Sequence, residues 1–239
     1  MMKQISLLLL FFLLTLTNSF SQNSFFTMYR FECSELFNIE LRKPKGFKVI
    51  DGLTPFRVNE KESVGMFYCM TLQSKDKNCL VLFPYFLQEP MHPNASENMT
   101  FGELKAGLNL NINDNTLELD TAKYIEKHVS GNVDNYFNAD TVFICQIPLI
   151  EPYRKVYNHC IAINIVKVKH PSAMMKVFFS EEGKRKEEEY MQAIFKSILY
   201  SDVVPEIDKQ KCKEVYKKFK CRFFLYKRKN FSMYLHNNN

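Results

Sequence analysis

The chain has no tryptophan and only seven glycines in 239 residues. None of those glycines falls in a GxGxxG or GxxxxGK arrangement, which excludes the backbone cradle that dinucleotide and nucleotide folds build for phosphate. The five histidines, His92, His128, His159, His170 and His236, are scattered, with no HxH or HxxxH among them. No two cysteines have the short spacing of a zinc knuckle or a redox motif either. No metal and no cofactor is therefore assigned. Beyond the N-terminus there is no second long apolar run, so residues 22–239 are expected to contain no spanning helix.

What is present begins with an export signal. Lys3 supplies the charged start, residues 5–16 the apolar core, and Ser19 and Ser21 the small residues before a break at Gln22. Residues 1–21 are read as a cleaved signal peptide, because an apolar run of roughly a dozen residues is short of the ~20 that cross a bilayer. The protein is thus expected in the periplasm or outside the cell. An apolar fraction of 46%, with 22 phenylalanines, argues for a packed core rather than disorder. Residues 22–204 have the length of one domain.

The formal charge is +6, and it is unevenly placed. Residues 206–239 hold ten Lys or Arg against three acids, leaving 22 bases and 23 acids in the rest. Basicity is thus a property of the tail at 205–239, and a nucleic-acid role for the whole chain is excluded on this ground.

Read in order, residues 37–41 (FNIEL) alternate like a half-buried strand and stop at Pro44 and Gly46. Residues 64–72 and 80–87 read as two strands of a hairpin across the polar QSKDKNC, with Pro84 marking an edge or a bulge. Residues 88–99 read as a loop that carries Asn94-Ala-Ser and Asn98-Met-Thr, both matching the glycosylation acceptor pattern. With Tyr85 and Phe86, this loop is a candidate pocket rim or a plain solvated connection. A short helix is expected over 100–108 and a second over 122–130, with Tyr124, Ile125, His128 and Val129 on its buried side. Residues 141–147, 156–168 and 174–179 are the clearest strands, and they feed a closing helix capped by Ser180. Its apolar stripe is Tyr190, Met191, Ile194, Phe195, Ile198 and Leu199, with Glu182 and Lys186 paired on the wet side.

The order FNIELRKPKGF, hairpins, FNADTVFICQIPL and FFSEEGKRKEEEYMQAIFKSI resembles exported proteins of unassigned function from Bacteroides-like bacteria. More distantly it is similar to the PsbP-type α/β/α sandwich, over about residues 36–200. The resemblance implies an α+β fold, an antiparallel β-sheet flanked by helices, and an accessory or binding role. It carries over no catalytic residue.

Seven cysteines, at 33, 69, 79, 145, 160, 212 and 221, leave at least one unpaired within an exported chain. Cys69 with Cys79, and Cys145 with Cys160, are the candidate disulfides; buried free thiols in strands are the alternative. His159 and Cys160 are adjacent on a strand and point to opposite faces, so they do not form a nucleophile and base. In the tail, Ile207, Cys212, Val215, Tyr216 and Phe219 form an apolar face. Lys213, Lys217, Lys218 and Lys220, followed by Lys227, Arg228 and Lys229, form a candidate contact with an anionic surface. Docking of that face on the domain itself is the other reading. The functional expectation is a non-enzymatic accessory or binding protein of the cell envelope, partnered by an envelope protein or a small apolar ligand; peripheral membrane contact through the tail is one reading of that segment, set against docking or a frayed end. The alternatives are a carrier of a small apolar ligand and a hydrolase assembled from distant residues.

Overall fold

Two strands are apolar at nearly every position, which an antiparallel strand tolerates only when both of its faces are covered. They are β9 (His159–Val166) and β10 (Ala173–Phe179), and every residue of β10 is buried. The computed structural model describes residues 25–59, 66–84, 86, 92–113, 119–129, 137–208, 210–215 and 217. In it these strands occupy the middle of a seven-stranded sheet. The remaining members are β2 (Phe47–Asp51), β5 (Met70–Ser74), β6 (Cys79–Phe83), β7 (Ile125–Val129) and β8 (Thr141–Ile147), in the order β2-β5-β6-β10-β9-β8-β7. Every pairing is antiparallel.

Strand alternation sorts the side chains into two cores. Val81, Ile163, Met175, Val177 and Phe179 point to a layer made by helix α1 (residues 25–37), α4 (Glu187–Phe195) and a short helix at 210–215. Leu82, Cys145, Cys160, Ala162 and Phe178 point the other way, towards α2 (Pro93–Gly107). The fold is an antiparallel sheet flanked by helices, of the α+β class. Two small ladders complete it. Strand β1 (Ile39–Leu41) pairs with β11 (Ile198–Tyr200), and β3 (Thr54–Phe56) pairs with β4 (Met66–Tyr68).

Four local expectations are corrected. The stretch at 88–99 is not all loop, because α2 begins at Pro93. Proline suits the first helical position, where its missing N–H would have no partner, and the His92 Nδ1 accepts from the Asn94 N–H at 3.2 Å. The stretch at 122–130 is not a helix over its described residues, 122–129. A 3-10 turn at Thr121–Lys123 leads into β7, whose β-branched Ile125 and Val129 suit a strand, and the Gln146 N–H donates to the Tyr124 carbonyl at 2.9 Å. The run at 64–72 is divided at Cys69, with β4 pairing to β3 and β5 pairing to β2 and β6. Finally, Pro84 marks neither an edge nor a bulge; it follows the last residue of β6, an interior strand.

The closing helix is three elements: α3 (Glu181–Lys184), α4 and β11. Ser180 caps α3 as expected, its hydroxyl accepting from the Gly183 N–H at 3.0 Å. At Lys186 the backbone leaves helical geometry, so Glu182 pairs with Arg185 at 3.1 Å while Lys186 turns to Asp76 at 3.7 Å. Ile198 and Tyr200 remain buried because alternate strand residues point inward, and Leu199 points out, 39% exposed. Gly183 is required where α3 crosses the β5–β6 turn, since a Cβ there would lie 2.1 Å from the Asn78 carbonyl oxygen.

Candidate functional site

Helix α2 is fastened to the sheet by polar groups rather than by a broad apolar stripe. The Thr100 hydroxyl donates to the Ser96 carbonyl at 2.9 Å, and the Asn164 amide donates to that carbonyl at 3.0 Å and to Thr100 Oγ1 at 3.2 Å. One turn further, Glu103 accepts from the fully buried Lys176 of β10, whose ammonium also lies 3.1 Å from Met174 Sδ. These contacts fix the height and rotation of α2 above β8, β9 and β10.

With that face committed, the flank of α2 that carries Glu97, Asn98 and Phe101 overhangs the outermost strand of the sheet. Between this flank and β7–β8 lies a groove of about 430 Å³. Phe101, Ile125 and Phe143 make it apolar inside, while Glu97, Asn98 and Lys127 bring polar groups to it. Ile125 and Lys127 stand opposite Cys145 and Phe143 in the ladder, so they share the α2 side of the sheet. The Lys127 ammonium donates to Glu97 at 3.0 Å and lies 5.3 Å from the centre of the Phe143 ring. A second cation, Lys105, lies 4.5 Å from the centre of the Phe101 ring.

The arrangement of titratable groups elsewhere is structural in character. Burial pushes the Cys145 thiol up to about 12 and raises Cys160 as well, so neither supplies a thiolate at neutral pH. Burial would raise the Asp76 carboxyl, but hydrogen bonds from Ser74, Tyr190 and Asn78 outweigh it and hold the group down at about 2. The Tyr190 hydroxyl reaches Asp76 at 2.5 Å, which ties α4 to the β5–β6 turn. His170 lies between the carbonyls of Val168 and Val203 at 3.1 and 3.2 Å. Among the described residues no three His, Cys, Asp or Glu side chains converge as a metal site, and no helix is long and apolar enough to cross a membrane.

The sequence-derived site residues are dispersed. Cys33, Cys69, Cys79, Cys145, Cys160 and Cys212 are buried free thiols, and Cys221 lies outside the described residues. Cys69 adjoins Phe83 and Cys79 closes the far end of the same ladder, a separation of about 13 Å along the strand that no disulfide spans. Cys145 and Cys160 are diagonal neighbours, partnered by Ala162 and Ile147. Lys213 and Lys217 are exposed, while Lys218, Lys220, Lys227, Arg228 and Lys229 lie outside the described residues. Cys212 and Val215 are buried in the α1–α4 core, with Ile207 packed against it. Of the suspected pocket rim, Phe86 is buried; Tyr85 and residues 87–91 are outside the described residues. Asn94 and Asn98 are both on the exposed side of α2.

No family model, no curated protein and no solved structure matches the chain. Of the groove residues, Glu97 and Asn98 fall in the stretch at 88–99 read from sequence as a candidate pocket rim, and Ile125 drew notice on one face of an expected helix; Phe101, Thr121, Ala122, Lys127 and Phe143 were not singled out as a site.

Proposed function

We propose that this chain is an exported, non-enzymatic binding protein of the cell envelope whose ligand occupies the groove between α2 and β7–β8. The observation that carries this reading is the groove itself. Its volume of about 430 Å³ falls in the range of small-molecule sites, and it combines an apolar floor with a few polar groups. Its walls are α2, β7, β8 and the 3-10 turn at Thr121–Lys123, so a ligand would meet a largely preformed surface and lose little affinity to ordering of the protein. Among the readings drawn from sequence, this favours the carrier of a small ligand over the hydrolase, because the groove has an acid and a base already paired to each other and the buried thiols are poor nucleophiles. The burial of Cys212 and Val215 supports docking of the tail through residue 215 on its own domain.

The test is native mass spectrometry of the full chain recovered from an oxidising compartment, alongside an Ala122→Trp variant that fills the mouth of the groove. Ala122 is exposed and lines the groove, so the variant is expected to fold. A bound mass that leaves on denaturation, or uptake of the neutral fluorophore N-phenyl-1-naphthylamine, should be present in the parent and absent in the variant. Uptake that is unchanged by Ala122→Trp would place any ligand elsewhere and remove this reading.

A further inference from the structure

The groove has an acid and a base at its lip and hydrocarbon inside. Lys127 and Glu97 contact each other at 3.0 Å, and their side chains retain 45% and 47% of their exposure. An exposed ion pair of this kind is weak and opens at little cost. Inside lie Phe101, Ile125 and Phe143, with the Asn98 amide and the Thr121 hydroxyl as further hydrogen-bonding groups in the lining. The cations over Phe101 and Phe143 hold the two rings in place.

We infer that the groove takes a free α-amino acid with a large apolar side chain, recognised as a zwitterion by Lys127 and Glu97. This rests on the reading of the groove as the ligand site. In an α-amino acid the ammonium nitrogen and the nearer carboxylate oxygen are about 3 Å apart, set by three bonds and the torsion about Cα–C. That spacing lets one ligand lie alongside the Lys127–Glu97 contact and meet both charges. The ligand's carboxylate pairs with Lys127 and its ammonium with Glu97, so every charge in the group has an opposite partner. A ligand with a single charge satisfies one of the two residues and competes with the other. The side chain packs on the partly exposed Phe101 and Ile125, with the buried Phe143 beneath them, where a flat or branched hydrocarbon gains most from leaving water. Small polar amino acids lose that contribution and are discriminated against by the floor, not by the lip.

L-Phenylalanine is the probe, titrated by calorimetry against the full chain and against Glu97→Gln and Lys127→Met. Phenylacetate and phenethylamine serve as ligands with one charge each, and N-phenyl-1-naphthylamine reports the groove without any charge. L-Phenylalanine should bind at least about tenfold more tightly than either singly charged compound, and each variant should weaken it about tenfold. Far-UV circular dichroism and thermal unfolding of each variant should match the parent, which shows that they are folded, and uptake of the neutral fluorophore is compared between the parent and Ala122→Trp. If L-phenylalanine binds no better than phenylacetate or phenethylamine, or if neither variant affects it, while the fluorophore still enters and Ala122→Trp still blocks it, the zwitterion inference is overturned and the groove stands. If the fluorophore is not taken up, or Ala122→Trp leaves it unaffected, the groove reading fails and this inference with it.

Discussion

Lys176 is the most consequential single charge in the domain. It projects from β10, the middle strand of seven, opposite Leu82 of β6 and Ala162 of β9, and its charged partner across the layer is Glu103 of α2. Neither side chain has appreciable access to water: Lys176 is fully buried, and the Glu103 side chain is 11% exposed. Replacing Lys176 by Met keeps most of the length of the side chain and removes its charge, leaving a carboxylate near Tyr68, Cys145 and Cys160, whose ionisation the Glu103 charge opposes. Loss of one partner of a buried pair costs about 3–5 kcal/mol, a large share of the ~5–15 kcal/mol that holds a domain of this kind together. With a urea dependence of about 2 kcal/mol/M, the unfolding midpoint should fall by about 1.5–2.5 M. Replacing both residues, Lys176→Met with Glu103→Leu, removes the stranded charge and should return stability to within about 1 kcal/mol of the parent, since a buried pair contributes little over a packed apolar equivalent. The assay is equilibrium urea unfolding of all four proteins, read as a double-mutant cycle. A single variant that loses less than about 1 kcal/mol, or a double variant that loses the sum of both singles, would refute the claim that the pair acts as one buried unit.

Three further outcomes follow from the same structure. Gly183→Ala forces a Cβ towards the Asn78 carbonyl, which the cap at Ser180 and the β5–β6 turn hold in place, so thermal unfolding should occur lower by an amount matching about 2–4 kcal/mol. Asp76 is held below its unfolded value, so its contribution is present above about pH 4 and is lost as pH falls towards 2. Tyr190→Phe removes one of the bonds that hold it there, and stability measured against pH should show a shallower acid loss than in the parent. Truncation after residue 204 takes Cys212 and Val215 out of the α1–α4 core and should leave the domain about 2–4 kcal/mol less stable in urea than truncation after 217; equal stability of the two would mean that the 210–215 helix adds nothing to the fold.

The sheet was legible where burial is complete. In β8, β9 and β10 the continuous runs TVFICQI, HCIAINIV and AMMKVFF leave no alternative to strands covered on both faces, and the helices on each side follow from that requirement. The Ser180 cap was legible because a hydroxyl at the junction of a strand and an acidic turn has one satisfactory use. The break after Lys184 was not, because Tyr190, Met191, Ile194, Ile198 and Leu199 satisfy a helical period through residue 199. What overrides that period is the pairing of Ile198 and Tyr200 with Leu41 and Ile39, contacts more than 150 residues apart that no local pattern encodes.

Most of the groove was missed for a related reason, and the reason bears on where such sites arise. Two of its walls, α2 and β7, come from segments whose pattern is weak. Helix α2 docks through Ser96, Thr100 and Glu103 in place of a hydrophobic stripe, and β7 is an outer strand with Ile125 and His128 only partly buried. A strand in the middle of the sheet shows a clear period because both of its faces are dry; a strand that lines a groove must be partly wet on the very face that meets the ligand. The residues that make a site accessible therefore blur the alternation by which the strand would have been recognised. In this chain the ambiguity at 122–130, where Ile125 and Val129 fit a helix and a strand equally well, coincides with the surface that holds Lys127 against Glu97. The same half-burial that conceals β7 in the sequence is what leaves Lys127 and Glu97 open to solvent beside the groove.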